Sequence, residues 1–307
     1  MAITFKPSRL PIILAATFAL ILAVLIAAMA PAISAARQQA RLVAQIHGLG
    51  GEIVYDFQLH NPRQIRSTEQ SRGLIRRMLG DDFASSVVEV KLSHSRVSDD
   101  DIKLLLQLPS IKRLGLYDTA IADNALQYIA QMAQLEFLWL DETKISAQGI
   151  QKLVPLQNLK ELLIQYNSIT DEAAPYLAQL HGLRNLALGS TQIGDNGVRQ
   201  LAGLQLESIK LDNTPITDAS GPTLAGFAQL NRLDVFDTKV TDKLVDSSPS
   251  WPRLEILRIN DTGVSDKCVP ALSKLTSLKA IALGNTQVTD GGTTKLQQAL
   301  PGCKIYR

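Results

Sequence analysis

Apolar residues open equivalent segments at Val87, Ile111, Leu135, Leu159, Leu183, Leu206, Leu230, Leu254 and Leu278. Successive starts lie 24 residues apart, except for one step of 23 between Leu183 and Leu206. Nine units in register decide the architecture before any local propensity is weighed. A segment this short cannot bury its own apolar face, so neighbouring units must stack and share a core.

Each column of the repeat has a physical reason. Positions 1, 4 and 6 are apolar, as in Leu135, Leu138 and Leu140. The alternation at 4 and 6 is that of a short strand with one buried face. Position 9 is Thr119, Thr143, Thr191, Thr214, Thr238, Thr262 or Thr286, with Ser95 and Asn167 in the other two units. Hydroxyls or amides just after a strand satisfy backbone groups that a turn leaves without partners. Position 11 is always Ile or Val and is expected to point back into the core. Position 13 is Asp in eight of nine units, usually after Ser or Thr, as in Thr170-Asp171. Such pairs ahead of a helical apolar pattern are expected to cap a helix start. Leu153 and Leu156, at positions 19 and 22, then follow at helical spacing. Each unit is therefore a strand, a turn and a short helix. Nine parallel strands at about 4.8 Å spacing give a sheet roughly 40 Å long.

The columns resemble leucine-rich repeats of the form L-x-x-L-x-L-x-x-[TN]-x-[IV]-[TS]-D over about residues 87–301. That resemblance implies an α/β leucine-rich-repeat solenoid, with a curved parallel sheet on the concave side and short helices on the convex side. An apolar anchor, then Arg37–Ala44, Gly50–Asp56 and Met78–Phe83, is similar to the layout of membrane-anchored repeat proteins of planctomycete bacteria. Proteins of that kind are generally taken as interaction proteins with no assigned reaction, so the resemblance implies a class and no specific partner.

Leu10 to Ala30 is apolar apart from Pro11 and Thr17. As a helix it would be about 31 Å long, close to the hydrocarbon thickness of a bilayer. A cleaved signal peptide is the competing expectation, and Ala28-Met29-Ala30 has the small-residue look of a cleavage site. The run is longer than a usual signal core, and Pro31 would follow the cut, which favours an uncleaved transmembrane helix. Cleavage would instead leave a secreted or periplasmic protein. Lys6 and Arg9 flank the run on one side, and Arg37 and Arg41 on the other. The positive-inside rule is nearly balanced, and the free amino terminus tips it towards repeats on the extracytoplasmic side.

The organisation read from the chain is a short tail over 1–9, an anchor over 10–32 and a juxtamembrane helix or linker over 33–51. An N-terminal cap over 52–86, nine repeats over 87–300 and a C-terminal cap over 301–307 complete it. In the first cap a strand over 52–57 puts Ile53, Tyr55 and Phe57 on one face, and an amphipathic helix spans 71–79. Arg63, Arg66, Arg72, Arg76 and Arg77 in this stretch are expected on a solvated face, with anionic lipid heads as the alternative. At the far end Pro301 stops the last helix, and Cys303 and Ile305 close the core. Unit seven departs from the pattern, because Ser247, Ser248 and Pro249 replace helical positions. Irregular backbone is expected there, with Trp251 filling position 22.

Apolar residues make up 46% and charged residues 20% of the 307, enough to bury a core. A formal charge of +2 gives no case for nucleic acid as a partner. Two cysteines, Cys268 and Cys303, make neither a disulfide framework nor a zinc site and are expected to pack as small reduced hydrophobes. His47, His60, His94 and His181 fall in unrelated contexts, with no nucleophile elbow or phosphate-binding loop. The Asp column could in principle hold calcium, but capping explains it. No cofactor and no enzyme activity are expected.

Positions 3, 5 and 7 face the concave side, with position 8 at its edge, and folding does not require large apolar residues there. Tyr117, Phe137, Trp139, Leu163 and Tyr166 on adjacent units are therefore a candidate patch for a protein partner, with Asp118 and Glu142 beside it. Cross-strand packing alone is the alternative. Asp234, Phe236, Asp237, Arg258 and Asp261 make a more charged surface further on. The function expected is a membrane-tethered interaction module, with a self-associating envelope protein as the second possibility.

Overall fold

The structure, a computed structural model, describes residues 10–58, 80–246 and 251–307. The expected helix over 71–79, its arginines and the Ser247–Ser250 break lie outside the described residues. Contacts divide the chain into two units. One comprises the N-terminal segment to Gln45 with Tyr55–Ser86, and the other Ile46–Val54 with Val87–Arg307.

In the first unit, α1 is a single helix, Leu10–Gly48, with Pro31 inside it. It continues past Pro31 and through residue 32 to Gly48. Gln39 Nε2 donates to Ser85 O at 2.9 Å and to Asp82 Oδ1 at 3.2 Å. Tyr55 Oη donates to the same carboxylate at 2.8 Å. The strand expected over 52–57 is shorter, since β1 is Glu52–Tyr55 and a 3-10 turn takes Asp56–Gln58. Phe57 instead stacks on Tyr55 at 5.7 Å. Among the described residues no helix is long and apolar enough to cross a membrane. The side chains of residues 10–17, 22, 25 and 26 are not among those described.

The second unit is the repeat array. Its strands are β2 Val87–Lys91, β3 Arg113–Gly115, β4 Phe137–Trp139, β5 Glu161–Leu163, β6 Asn185–Ala187, β7 Ser208–Lys210, β8 Arg232–Asp234, β9 Ile256–Arg258, β10 Ala280–Ala282 and β11 Lys304–Tyr306. Among the described residues these strands and β1, most of which belongs to this unit, form one eleven-stranded sheet in chain order. The pairing is parallel and in register, with Leu138 beside Leu162 and Leu162 beside Leu186. The 23-residue step leaves the register intact, since Leu186 pairs with Ile209. Its missing residue falls after Asp195, on the helical side, where no ladder has to be kept. Cys303 is buried ahead of β11, which extends the sheet past the last repeat.

Leu135, Leu159 and Leu183 are fully buried, as is the Ile column at Ile121, Ile145, Ile169 and Ile193. Each such side chain contributes roughly 1.5–3 kcal/mol by leaving water. Trp251 is buried too, and its indole N–H donates to Leu224 O at 2.9 Å. The threonine column behaves as the spacing demands. Thr143 Oγ1 donates to Leu140 O at 2.8 Å and Thr191 Oγ1 to Leu188 O at 2.6 Å. Asn167 replaces the hydroxyl with Nδ2, which reaches Leu140 O at 2.7 Å and Ile164 O at 3.2 Å.

The aspartates of position 13 do something else than cap their own helices. Asp218 Oδ1 accepts from Thr241 N at 2.7 Å and its Oδ2 from Thr241 Oγ1 at 2.6 Å. Thr241 belongs to the next unit. Asp123 with Ser146, Asp195 with Thr217, Asp242 with Ser265 and Asp266 with Thr289 repeat the pattern. The cap is the residue before: Ser146 accepts from Gln148 N, and Thr217 from Ala219 N. So the hydroxyl starts a helix within its unit while the carboxylate clips the following one. In several units a small residue at position 15 makes room for the clip, although unit seven has Leu244 there. A Cβ on Gly149 would stand 2.1 Å from Asp123 Oδ1, and one on Gly292 2.0 Å from Asp266 Oδ1. Cys268 occupies the same column. Burial, reinforced by Asp242 and Asp246, pushes its thiol up to about 12, so it stays protonated and inert.

Each clip is a charge-assisted pair of hydrogen bonds between units. Replacing Asp218 by Ala is expected to cost about 1–3 kcal/mol in chemical denaturation. Unit three lacks the clip, having Ala147 at position 13. Ala147→Asp, facing Thr170 over the small Ala173, should gain about 1 kcal/mol. An unchanged or lowered midpoint for Ala147→Asp would refute the role given to the column.

Candidate functional site

The alternation that buries Leu138 and Leu162 sends Phe137, Trp139, Glu161 and Leu163 to the open face of the sheet, where all four are half-buried. Register places Trp139 between Gly115 and Leu163. A Cβ on Gly115 would lie 3.1 Å from the indole Cε3, so the absence of a side chain there is what lets the ring lie down. Trp139 Nε1 donates to Glu161 Oε1 at 2.7 Å, and Asn185 Nδ2 holds the other carboxylate oxygen at 3.0 Å. The Arg113 guanidinium sits 4.5 Å over the Phe137 ring. Tyr117 meets His94 edge-on at 4.5 Å, and His94 Nδ1 is 2.7 Å from Asp118 Oδ2. The candidate aromatics therefore lean on a glycine, an arginine and a histidine.

Arg113, Glu161 and Gly115 were not singled out in the sequence, and His94 was named there only among histidines in unrelated contexts. The signal was available, because they occupy positions 3, 5 and 8 of units one, two and four. What hid them was side-chain direction across strands, which a column of letters does not carry.

Position 8 has a backbone requirement as well. Asp118, Glu142 and Tyr166 have φ of 52°, 53° and 56°. The same left-handed turn recurs at His94, Ser190, Asn213, Asp237, Asp261 and Asn285. Asn, Asp and His tolerate this region, whereas a bulky side chain is strained there. Tyr166 is also 56% exposed, so burial does not offset the strain.

Further along the face the charged residues form a second group. Asp234 is 1% exposed, and its Oδ2 accepts from Arg232 Nη2 at 2.8 Å, with Arg258 Nη1 at 3.7 Å. Asp234 Oδ1 is buried with no hydrogen-bond partner. Asp212, 5% exposed, lies against unit five: a Cβ on Gly189 would stand 2.5 Å from its Oδ2. Burial pushes the Asp212 carboxyl above its ordinary value, and Asp234 adds to this against the opposing pull of its own backbone N–H, Lys210 and Arg258. Burial likewise raises Asp141, although Gln165 N donates to its Oδ1 at 2.7 Å. Among the described residues no cluster of His, Cys, Asp and Glu could hold a metal ion.

These side chains are displayed on a scaffold that is similar in shape to solved structures. Internalin C2 of Listeria monocytogenes aligns over 66% of this chain and 81% of its own, at 24% identity and a TM-score of 0.50. A leucine-rich-repeat protein of Leptospira interrogans aligns over 67% of this chain and 57% of its own, at 18% identity and a TM-score of 0.48. No protein-family profile matches the chain, and no curated protein matches it in sequence. The fold is a leucine-rich-repeat fold.

A carboxyl raised in the folded state favours the fold below its unfolded value, and that contribution is lost as pH rises through the folded value. Asp212 therefore costs stability at neutral pH. Asp212→Asn should melt above the parent at pH 7, with the gap closing as pH falls through the carboxylate range. A gap that stays constant with pH would show that Asp212 carries no such penalty.

Proposed function

We propose that this protein is a membrane-tethered interaction module that binds a protein partner on the open face of its sheet, over units two to four. The observation that carries this is Tyr166. A tyrosine in a left-handed turn costs about 1–2 kcal/mol relative to ordinary backbone. It stays exposed in the unit next to that of an indole held in place by Glu161. Seven other units fill this position with Asp, Asn, Ser or His, so stacking of the repeats does not ask for an aromatic. An exposed Tyr and an oriented Trp on neighbouring units have the composition of an interface hot spot. Tyr117, at 40% exposure, and the carboxylates of Asp118 and Glu142 border it, while Phe137 and Leu163 supply apolar floor. No reaction and no cofactor enter this function.

A photo-crosslinking residue in place of Tyr166, in the full chain in its native cell, is expected to trap one heterologous protein. Trp139→Ala should weaken that product at least tenfold with little change in melting temperature. Tyr166→Asn should raise stability by about 0.5–1 kcal/mol while reducing capture. Crosslinks confined to a second copy of this chain would replace the binding module with a self-associating envelope protein.

Tethering is supported by the apolar run from Leu10 to Ala30 and by the resemblance to membrane-anchored repeat proteins. Phe18, Leu20, Ile21 and Val24 on α1 are 59–69% exposed, an apolar surface that water does not favour. Lys6 and Arg9 together with the free amino terminus outweigh Arg37 and Arg41 by a narrow margin, which puts the repeats on the extracytoplasmic side. Export after cleavage is the alternative. The full chain is expected in the membrane fraction after an alkaline carbonate wash, with Leu20→Arg and Val24→Arg together releasing it. Protease added to intact cells should cut the repeats. A carbonate-soluble parent would dismiss the anchor, and protection until lysis would reverse the orientation.

A further inference from the structure

The open face is interrupted at unit five. Its positions 5 and 7 are Ala187 and Gly189, with no long side chain on either. Asp212 fills part of this depression by lying on Gly189, and Asp234 lines it from β8, next to Lys210 in the strand register. Arg232 spends its Nε and Nη2 on Asp234 Oδ2. Arg258 is 3.7 Å from the same atom, beyond hydrogen-bond length. Asp234 Oδ1 is left buried and unanswered. Among the described residues no side chain donates a hydrogen bond to Asp212. A buried acceptor without a donor costs about 1–3 kcal/mol, which a donor brought from outside recovers.

We infer that this depression is a subsite for a lysine or arginine side chain of the partner segment, seated between Asp212 and Asp234. It rests on the docking function proposed above and names the partner's chemistry. An ammonium or guanidinium offers several donors and no acceptor, matching Asp234 Oδ1, which has no donor, and Asp212, which has none from a side chain. A guanidinium also meets paired carboxylate oxygens in a bidentate geometry. The exposed Arg258 and half-exposed Lys210 are long side chains able to swing aside for the incoming cation. Units three and seven are four strands apart, so the aromatic station and the acidic subsite are separated by about 15–20 Å across the sheet. An extended segment covers that distance in about five or six residues. The partner therefore carries an aromatic or aliphatic anchor and, about five residues on, a basic residue.

Random peptides displayed as a library and selected on the full chain test this directly. Enriched sequences are expected to carry Lys or Arg at that spacing from an apolar anchor. Asp212→Asn should weaken such a peptide about tenfold or more, and should leave unchanged its variant with Gln at the basic position. Asp212→Ala, which also fits over Gly189, should give the same loss, and melting curves verify that both variants fold. Enriched peptides without a basic residue, or an equal effect of Asp212→Asn on both peptides, overturn the subsite. Peptides weakened by Trp139→Ala and indifferent to Asp212→Asn leave the docking function standing alone. Peptides with the opposite response remove the aromatic station and keep the acidic one. A library that yields no binder overturns both.

Discussion

No unit of this array can exist by itself, and everything else in the repeat unit follows from that. Twenty-four residues supply one strand of three to five residues and one or two helical turns, far too little to enclose the leucines they carry. Stability must come from what one unit does to the next. Three sets of contacts do this work at different depths. Apolar columns share the interior, the parallel ladder joins strands in unbroken register, and the aspartate clips tie the turn before each helix to the unit ahead. The clips matter because a parallel strand pair restrains only one side of the coil. A second row of contacts, marked by the bridges between Thr217 and Lys239 and between Thr241 and Gly263, holds the other side.

Because the core and the clips carry stability, the open face is released from folding duties and is free to vary. That freedom is visible in how unevenly the face is furnished. Units three and four place an indole, a phenyl ring and a leucine on adjacent strands, unit five offers only small residues, and units six to eight crowd carboxylates against arginines. Two places on it work against stability. Tyr166 takes up a backbone conformation that suits Asn or Asp, and Asp212 is kept from water without a side-chain donor. A protein keeps such costs where a ligand gives something back. Lying on the same face, the two are the stations proposed above for one bound segment.

The fold was legible in the letters because its period is long-range and redundant. Leu135, Leu159 and Leu183 each repeat the same instruction, and an error in one column is corrected by eight others. The threonine column was legible for a local reason: its hydroxyl reaches a carbonyl only three residues back, so sequence distance is spatial distance. The aspartate column was misassigned for the converse reason. Asp218 and Thr241 are 23 residues apart, and nothing within one unit reveals that the carboxylate turns to its neighbour instead of its own helix. The strand over 52–57 was drawn too long because alternation of Ile53, Tyr55 and Phe57 cannot report that Phe57 stacks back on Tyr55.

The sequence by itself determined the repeat, the direction in which each strand residue faces, and the set of aromatics on the open face. It could do so because period two and period 24 are properties of the chain. Only the tertiary structure decided which of those side chains are held and which are left wanting. Gly115 making room for Trp139, Glu161 orienting it, and Asp234 Oδ1 being sealed without a donor all depend on how side chains of different units meet across strands. Those meetings are set by the stacking of units, which no single unit encodes.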